Sequence, residues 1–223
     1  MINIVILAAG KGTRMKSSLP KVLHPIAGTS MVRRVVQAAT QMDAQAQVTL
    51  VIGHGAEAVQ THFSDMPNIQ FALQAEQLGT GHAVQCAVPY LGTSPVTLIL
   101  YGDVPLIQPD SLKPLVQSAL AGHVGLMTLT LPDPTGYGRI CRDSKGQVTG
   151  IVEQKDANPD QLQINEVNTG ILACPTDKLK SWLDGLSNNN AQGEYYLTDV
   201  IGKAAEAGCL IQTSQPTYEW EVL

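Results

Sequence analysis

Residues 2–21, INIVILAAGKGTRMKSSLPK, begin with an apolar run and continue into a loop with two glycines and four cations. The run INIVIL is too short to cross a bilayer and lacks the basic lead-in of a signal peptide, so it predicts a buried β-strand. Residues 7–21 carry four Lys or Arg residues and no carboxylate to balance them. This pairing of strand and glycine-rich basic loop predicts a strand-to-helix turn of an α/β sheet.

The rest of the chain alternates between strand and helix patterns. Apolar runs such as VTLILY (96–101) predict buried strands, and segments with helical spacing separate them, one of which is capped by Ser30. After residue 133 the pattern changes to a β-hairpin over residues 137–154. We therefore predict a doubly wound, mostly parallel α/β sheet in residues 1–132. We expect the smaller, less regular half, residues 133–223, to pack onto it.

The charge distribution is uneven along the chain. The 223 residues have a formal net charge of −5, yet residues 1–42 hold six of the 14 cations and no Asp or Glu. An acidic protein with one basic patch argues against general nucleic-acid binding, which requires broad positive charge. The patch instead indicates a local site for a compact anion.

Cysteine and histidine positions indicate no further chemistry. The four cysteines contain no CxxC pair, and the five histidines show no metal-binding spacing. We interpret the cysteines as reduced, mostly packed thiols of a cytoplasmic protein that does not associate with a membrane.

Three features fall where ligands bind in such sheets, at the carboxyl ends of the strands. The first is the loop after strand one, which is neither a GxGxxG nor a GxxxxGK[ST] motif. Its glycines also fit an ordinary tight turn, but the cations favour phosphate binding, since a surface gains little from clustered like charges.

The second and third features are Asp103 and Gln74. Asp103 follows a strong strand, where it could cap a turn or hold Mg²⁺ beside phosphate oxygens. Gln74 ends another strand and precedes Gly79 and Gly81; its amide could read the edge of a pyrimidine or be satisfied by nearby backbone. For each of these two residues, the sequence leaves the functional and the structural role open.

Several segments together carry a family resemblance. Residues 7–21 resemble the signature of sugar-nucleotide pyrophosphorylases, and further matches are QAEQLGTGHA, YGDVPL, DPTGYGRI, GIVEQKDA, VNTGI and NNNAQGEYYLTD. In this order they are similar to the N-terminal half of the bacterial bifunctional N-acetylglucosamine-1-phosphate uridyltransferase / glucosamine-1-phosphate acetyltransferases. The resemblance covers essentially the whole chain.

The resemblance implies a single pyrophosphorylase domain with a Rossmann-like nucleotide-diphospho-sugar transferase fold and a smaller β-ribbon lobe for the sugar. In the family this half is followed by a left-handed β-helix that carries the acetyltransferase and assembles trimers, and residues 1–223 do not include that domain. An asparagine just beyond Leu223 would be a second metal ligand. Asp103 is then the metal ligand within this chain.

The implied reaction joins UTP and N-acetylglucosamine 1-phosphate to give UDP-N-acetylglucosamine and pyrophosphate, with Mg²⁺ as cofactor, feeding peptidoglycan and lipopolysaccharide precursor synthesis. The attacking sugar phosphate is already an anion, so the reaction needs no general base. Cations would offset the charge that develops on pyrophosphate. The residues that the resemblance assigns to catalysis are Arg14, Lys21 and Asp103. Those that it assigns to substrate binding are Leu7, Ala8, Ala9, Gly10, Lys21, Gln74, Gly79, Thr80, Tyr101, Gly102, Asp103, Gly138, Glu153 and Asn168.

Two other functions remain open on the sequence. A pyrophosphorylase for another nucleotide or sugar 1-phosphate would share the first loop. A non-catalytic nucleotide-sugar sensor would share the fold without the reaction, and Arg14, Lys21 and Asp103 argue against it.

Overall fold

A nine-stranded sheet, a two-stranded ribbon and six α-helices are found in the computed structural model, which describes residues 1–12 and 15–223. Arg14, which the sequence assigns to catalysis, lies outside the described residues. The strands are β1 (Asn3–Leu7), β2 (Pro25–Ile26), β3 (Thr29–Ser30), β4 (Gln47–Ile52), β5 (Gln70–Leu73), β6 (Val96–Tyr101), β7 (Val124–Thr130), β8 (Arg139–Arg142), β9 (Val148–Val152), β10 (Glu166–Pro175) and β11 (Ile211–Ser214). The helices are α1 (Met31–Met42), α2 (Ala56–His62), α3 (Thr80–Ala87), α4 (Pro109–Leu120), α5 (Thr176–Asp184) and α6 (Asp199–Glu206).

The first strand lies inside the sheet, as its apolar sequence predicts. β1 is buried along its whole length and pairs in parallel with β4 on one side and β6 on the other. The main strand order is β11-β7-β10-β6-β1-β4-β5, in which only β10 runs against its neighbours. The prediction of a mostly parallel, mixed sheet is confirmed.

Alternate residues of β1 pack into two separate cores. Ile4 and Ile6 pack with α1, α2 and α4 on one face of the sheet, whereas Val5 and Leu7 pack with α3, α5 and α6 on the other. The doubly wound arrangement therefore follows from a strand that is apolar on both faces. On the first face, α1 begins where predicted, because the Ser30 side chain accepts a hydrogen bond from the Arg33 backbone N–H.

The second half of the chain completes the sheet of the first half. We expect it to pack onto that sheet; in the structure β10 inserts between β6 and β7, and β11 pairs with β7 at the edge. β10 is buried from Gly170 to Cys174, so this segment needs neighbours on both sides and on both faces. The predicted hairpin, β8 and β9, branches from β10 through the pair Val167 and Arg139. A division near residue 132 stays a prediction.

Two further features concern the length of the helices and the state of the cysteines. In residues 1–12 and 15–223 no helix combines the length and apolar character that a membrane crossing requires. Cys86, Cys141, Cys174 and Cys209 are free thiols, and Cys174 is buried.

Candidate functional site

A cavity of ≈ 500 Å³ lies at the carboxyl ends of β1, β5 and β6. It brings together ten of the predicted site residues: Leu7, Ala8, Ala9, Gly10, Lys21, Gln74, Gly79, Thr80, Tyr101 and Asp103. Other residues also line it: Gly12, Met15, Val22, Gln77, Ala83 and Glu194. A larger hollow of ≈ 630 Å³ beside α4 and β11 contains none of the predicted site residues, so most of these residues lie at the smaller cavity.

The glycine loop after β1 uses its two glycines differently. Gly10 is exposed, and a Cβ added to it would meet no atom within 4 Å. Gly12 has φ +56°, and a Cβ there would lie 2.6 Å from Lys21 Cβ. Gly12 thus lets Lys21 lie close against the loop, while Gly10 keeps the loop backbone open to a ligand in the cavity.

The cation and the carboxylate at this end of the cavity contact each other. Lys21 Nζ lies 2.7 Å from Asp103 Oδ2, with 40% of the Lys21 side chain and 32% of the Asp103 side chain exposed. An ion pair this exposed stabilises the fold by about 0–1 kcal/mol. Both groups are therefore positioned at low cost and can exchange partners.

At the opposite end of the cavity, Gln74 is held by two hydrogen bonds. Gln74 is only 3% exposed. Its Nε2 lies 3.0 Å from the Gly79 carbonyl oxygen and 3.1 Å from His82 Nδ1. The Gly79 carbonyl can only accept, so the amide group facing it must be the NH₂. Among the described residues Gln74 Oε1 has no hydrogen-bond donor, and it remains an acceptor for a ligand.

Gly79 and Gly81 are required by packing against a distant segment. Gly79 has φ +113°, and a Cβ there would lie 2.5 Å from the Tyr195 carbonyl oxygen. The Gly81 N–H donates to that same oxygen at 2.7 Å, and the Tyr195 N–H donates to the Leu78 carbonyl at 2.8 Å. The two segments interlock and set the wall of the cavity around Gln74.

Glu194 is a cavity residue that sequence reasoning missed. The resemblance includes its segment, NNNAQGEYYLTD, but assigns no site residue there. In the structure the Asn190 side chain donates to the Glu194 carbonyl at 2.6 Å and accepts from the Glu194 N–H at 3.2 Å, which fixes the loop. The only sequence signal was the cluster of Asn and Gly residues, which is typical of a structured loop.

Tyr101 connects the cavity to the β8–β9 lobe. A Cβ at Gly170, which has φ +88°, would lie 2.5 Å from the Tyr101 ring, so the ring packs directly on the β10 backbone. Burial, together with the carboxylates of Glu153 and Asp103, raises the pKa of Tyr101 well above its usual range. The phenol therefore stays protonated at neutral pH and can donate a hydrogen bond.

Four predicted site residues lie outside the cavity lining. Gly102 supports the cavity from behind, since its N–H donates to the Leu7 carbonyl at 2.9 Å. Gly138, Glu153 and Asn168 lie together in the lobe: the Asn168 N–H donates to the Gly138 carbonyl at 2.9 Å, and a Cβ at Gly138 would lie 3.4 Å from Glu153 Oε2.

The carboxylate of Glu153 is partly buried. Burial raises its pKa, and nearby Asp156 and Asp199 raise it further, although Thr198 Oγ1 donates a hydrogen bond to it at 3.0 Å. A carboxylate with a raised pKa and a single hydroxyl donor has lone pairs left for further donors, such as the hydroxyl groups of a ligand.

The cavity suits a cation that takes most of its ligands from elsewhere. Within the described part of the chain, no group of three or more His, Cys, Asp or Glu side chains could hold a metal ion. Asp103 supplies one carboxylate at the cavity wall. This donor set fits Mg²⁺, which usually binds one or two carboxylates and completes its coordination with water and phosphate oxygens.

Comparison of the sequence with known proteins identifies a family. Residues 4–149 match the model of the MobA-like NTP transferase domain. The chain is 57% identical over 222 residues to the bifunctional protein GlmU of Burkholderia ambifaria and 56% identical to that of Burkholderia mallei. All of this chain is covered in both comparisons, but only 49% of each relative. The chain thus spans about half the length of these relatives.

Comparison of the structure with solved structures identifies the same type of fold. A UDP-glucose pyrophosphorylase complexed with UDP-glucose has a TM-score of 0.79 at 16% identity, covering 99% of this chain and 94% of that one. HddC from Yersinia pseudotuberculosis has a TM-score of 0.67 at 18% identity, covering 96% and 90%. At these identities the likeness shows the fold, a nucleotide-sugar transferase fold.

Proposed function

Because the chain belongs to the MobA-like NTP transferase family, we propose that it is a uridyltransferase that makes UDP-N-acetylglucosamine. An oxygen of N-acetylglucosamine 1-phosphate attacks the α-phosphorus of UTP, the bond from that phosphorus to the bridging oxygen breaks, and pyrophosphate leaves. The identity to one half of the GlmU proteins supports this reaction. The observation that carries the proposal is the orientation of Gln74.

Gln74 is oriented to accept from a base. Both of its amide hydrogens face protein acceptors, the Gly79 carbonyl and His82 Nδ1, which leaves Oε1 for the ligand. Uracil presents N3–H as a donor, whereas the N3 of cytosine is an acceptor and would face Oε1 unpaired. An unpaired buried polar group costs about 1–3 kcal/mol, so this orientation favours UTP over CTP. Gly79 and Thr80 line the same part of the cavity and complete the uracil site.

The loop end of the cavity receives the phosphates. In this assignment Leu7, Ala8, Ala9 and Gly10 present their backbone to the uridine and the triphosphate, while Lys21 binds a phosphate oxygen. The ammonium group of Lys21, the loop N–H groups and the assigned Arg14 then offset the charge that develops on pyrophosphate. The nucleophile is already an anion, so no residue has to remove a proton.

Nucleotidyltransferases of this family generally use a divalent metal ion, and we assign Mg²⁺ to this chain with Asp103 as its ligand. When bound there, Mg²⁺ would screen the phosphate charges from one another. Lys21 and Asp103 pair with each other in this structure, and in the reaction each has a second partner of opposite charge. Tyr101 and Gly102 hold Asp103 at the end of β6.

The lobe formed by β8, β9 and β10 supplies the sugar site. Gly138 lies beside both Asn168 and Glu153, and the Glu153 carboxylate helps to raise the pKa of Tyr101 at the cavity wall. The carboxylate and amide side chains can bind the hydroxyl and acetamido groups of N-acetylglucosamine. In this proposal the sugar lies next to the phosphate end of the cavity.

A pyrophosphate-release assay with UTP, CTP, GTP and dTTP, each with N-acetylglucosamine 1-phosphate and glucose 1-phosphate, tests the proposal. We expect turnover with UTP and N-acetylglucosamine 1-phosphate to exceed every other pair. Gln74→Ala should narrow the UTP/CTP ratio of kcat/KM by about 5–150-fold, the equivalent of 1–3 kcal/mol.

Gln77→Ala is the matched control, since Gln77 also lines the cavity but, among the described residues, its Nε2 donates only to the Gln74 carbonyl, at 3.4 Å. A preference for another nucleotide would make the chain a pyrophosphorylase of different specificity. Tight UTP binding without turnover of any pair would make it a nucleotide-sugar sensor.

A further inference from the structure

His82 contacts Gln74, the residue that we assign to base recognition. It is the third residue of α3, partly buried, and its Nδ1 is 3.1 Å from Gln74 Nε2. Its other ring nitrogen, Nε2, is 3.8 Å from the sulfur of Cys86, one helical turn further on. His82 therefore has one protein partner at each ring nitrogen.

The partners of the imidazole determine which nitrogen carries its proton. The Gln74 amide must be oriented with its NH₂ group toward the Gly79 carbonyl, because a carbonyl oxygen can only accept a hydrogen bond. A donor at 3.1 Å requires an acceptor, so His82 Nδ1 is unprotonated and the proton is on Nε2. Burial raises the pKa of the Cys86 thiol, so the sulfur stays a neutral acceptor for that proton.

From these contacts we infer that His82 is a positioning residue that, as the Nε2–H tautomer, holds the Gln74 amide in the orientation that selects uracil over cytosine. The inference rests on the proposed function, because it deepens the assignment of the base site. A glutamine amide can rotate by 180° and exchange its donor and acceptor. The Gly79 carbonyl opposes this rotation with one hydrogen bond, and His82 opposes it with a second.

Substitution of His82 separates positioning from packing. His82→Leu removes the acceptor but keeps an apolar side chain, whereas His82→Asn can return an acceptor oxygen near the position of Nδ1. With His82→Leu we expect the UTP/CTP ratio of kcat/KM to fall by about five-fold, which corresponds to about 1 kcal/mol for one hydrogen bond. The change should appear as a higher KM for UTP with kcat retained, and His82→Asn should keep the ratio within about two-fold of the wild type.

His123→Leu is the matched control, because His123 precedes β7 and does not line the cavity; it should leave the ratio unchanged. A purely structural role of His82 predicts that His82→Leu lowers the melting temperature and weakens UTP and CTP use equally. That result would overturn the inference.

Nitrogen NMR of the histidine side chains gives a readout that needs no nucleotide. In the wild-type protein we expect His82 to show an unprotonated Nδ1 and a protonated Nε2, and a protonated Nδ1 would overturn the inference. Failure of the proposed function and failure of the inference about His82 give different results. A wild-type enzyme without UTP preference contradicts the proposed function, whereas a preference that survives in His82→Leu contradicts only the role of His82.

Discussion

The two ends of the cavity are built in opposite ways. At the base end Gln74 is 3% exposed, both of its amide hydrogens are used by the protein, and the glycines beside it interlock with Tyr195. At the loop end Lys21 and Asp103 are substantially exposed and bind each other. Base recognition thus rests on a packed side chain whose amide hydrogens are held by the protein and whose oxygen is left for the ligand, whereas charge compensation depends on groups that can change partners. Substitutions at the loop end should therefore lower turnover with little change in stability. Substitutions at the base end should change nucleotide preference or, at the interlocked glycines, stability.

Asp103→Ala should give the largest effect. If Asp103 is the carboxylate that holds the metal ion, its loss should lower kcat by more than about 10³-fold, above the effect of removing a single preorganised donor. The melting temperature should hardly change, because the ion pair that is lost is exposed. Pyrophosphate release and thermal unfolding measure the two quantities.

Asp110→Ala is the control for that substitution, since it breaks a comparable exposed pair, Asp110 with Lys113 at 2.5 Å, away from the cavity. Wild-type turnover by a folded Asp103→Ala variant would show that Asp103 does not hold a metal ion that the reaction needs.

Lys21→Ala should follow, with a loss of about 10²–10³-fold in kcat, or about 2.7–4 kcal/mol, by analogy with an oxyanion-hole donor. Lys113→Ala removes the other lysine of an exposed ion pair and should leave turnover unchanged. A loss of activity that only parallels a loss of stability would make the loop end structural, and the contrast between the two ends would disappear.

Gly79→Ala and Gly10→Ala compare the backbone at the two ends. Gly79 has φ +113° and lies against the Tyr195 backbone, so the added Cβ should lower the free energy of unfolding by about 1–3 kcal/mol. Gly10 has open space at its Cβ position, so Gly10→Ala should change that free energy by less than about 0.5 kcal/mol. Denaturant unfolding of both variants measures the difference, and equal losses would contradict it.

The smallest effect concerns the pH dependence of stability in the lobe. Burial raises the pKa of Glu153 in the folded protein, so the unfolded chain releases this proton first, and stability falls as pH rises from about 4.3 through the folded pKa. Glu153→Gln lacks this loss and should become more stable relative to the wild type as pH rises.

Glu166→Gln gives the opposite sign in the same assay. The hydrogen bond from Arg142 lowers the pKa of Glu166, so this carboxylate stabilises the fold above its unfolded pKa and loses that contribution on acidification. Its substitution should therefore cost more stability as pH rises. If the free energies of unfolding of both variants followed the wild-type pH curve in parallel, the predicted contributions of Glu153 and Glu166 to the pH dependence of stability would be wrong.

The elements of the sheet were predictable because their signals are local. The strand β1, the capped helix α1 and the hairpin of β8 and β9 each follow from residues within a few positions. The prediction of a basic glycine loop is local as well, since its four cations lie within residues 11–21, and its role in phosphate binding stays a prediction. The site at the carboxyl ends of the strands then followed from the parallel sheet.

The remaining features depend on contacts between distant residues. The reversed direction of β10 could not be predicted, because a strand that is apolar on both faces has no preferred direction in its own sequence. Gly79 is predicted as a ligand-binding glycine, yet the lack of a Cβ at Gly79 and at Gly81 is also required by Tyr195, more than 110 positions further on. The orientation of Gln74 likewise needed the positions of the Gly79 carbonyl and His82.

The insertion of β10 between β6 and β7 has a consequence for how the chain acquires its structure during synthesis. β6 and β7 are both synthesised before β10, which begins at Glu166, so the edges that pair with β10 stay unpaired until this strand has been made. Open apolar edges of this kind promote association between nascent chains. A fragment that ends near residue 132 should therefore aggregate rather than fold as an independent nucleotide-binding unit.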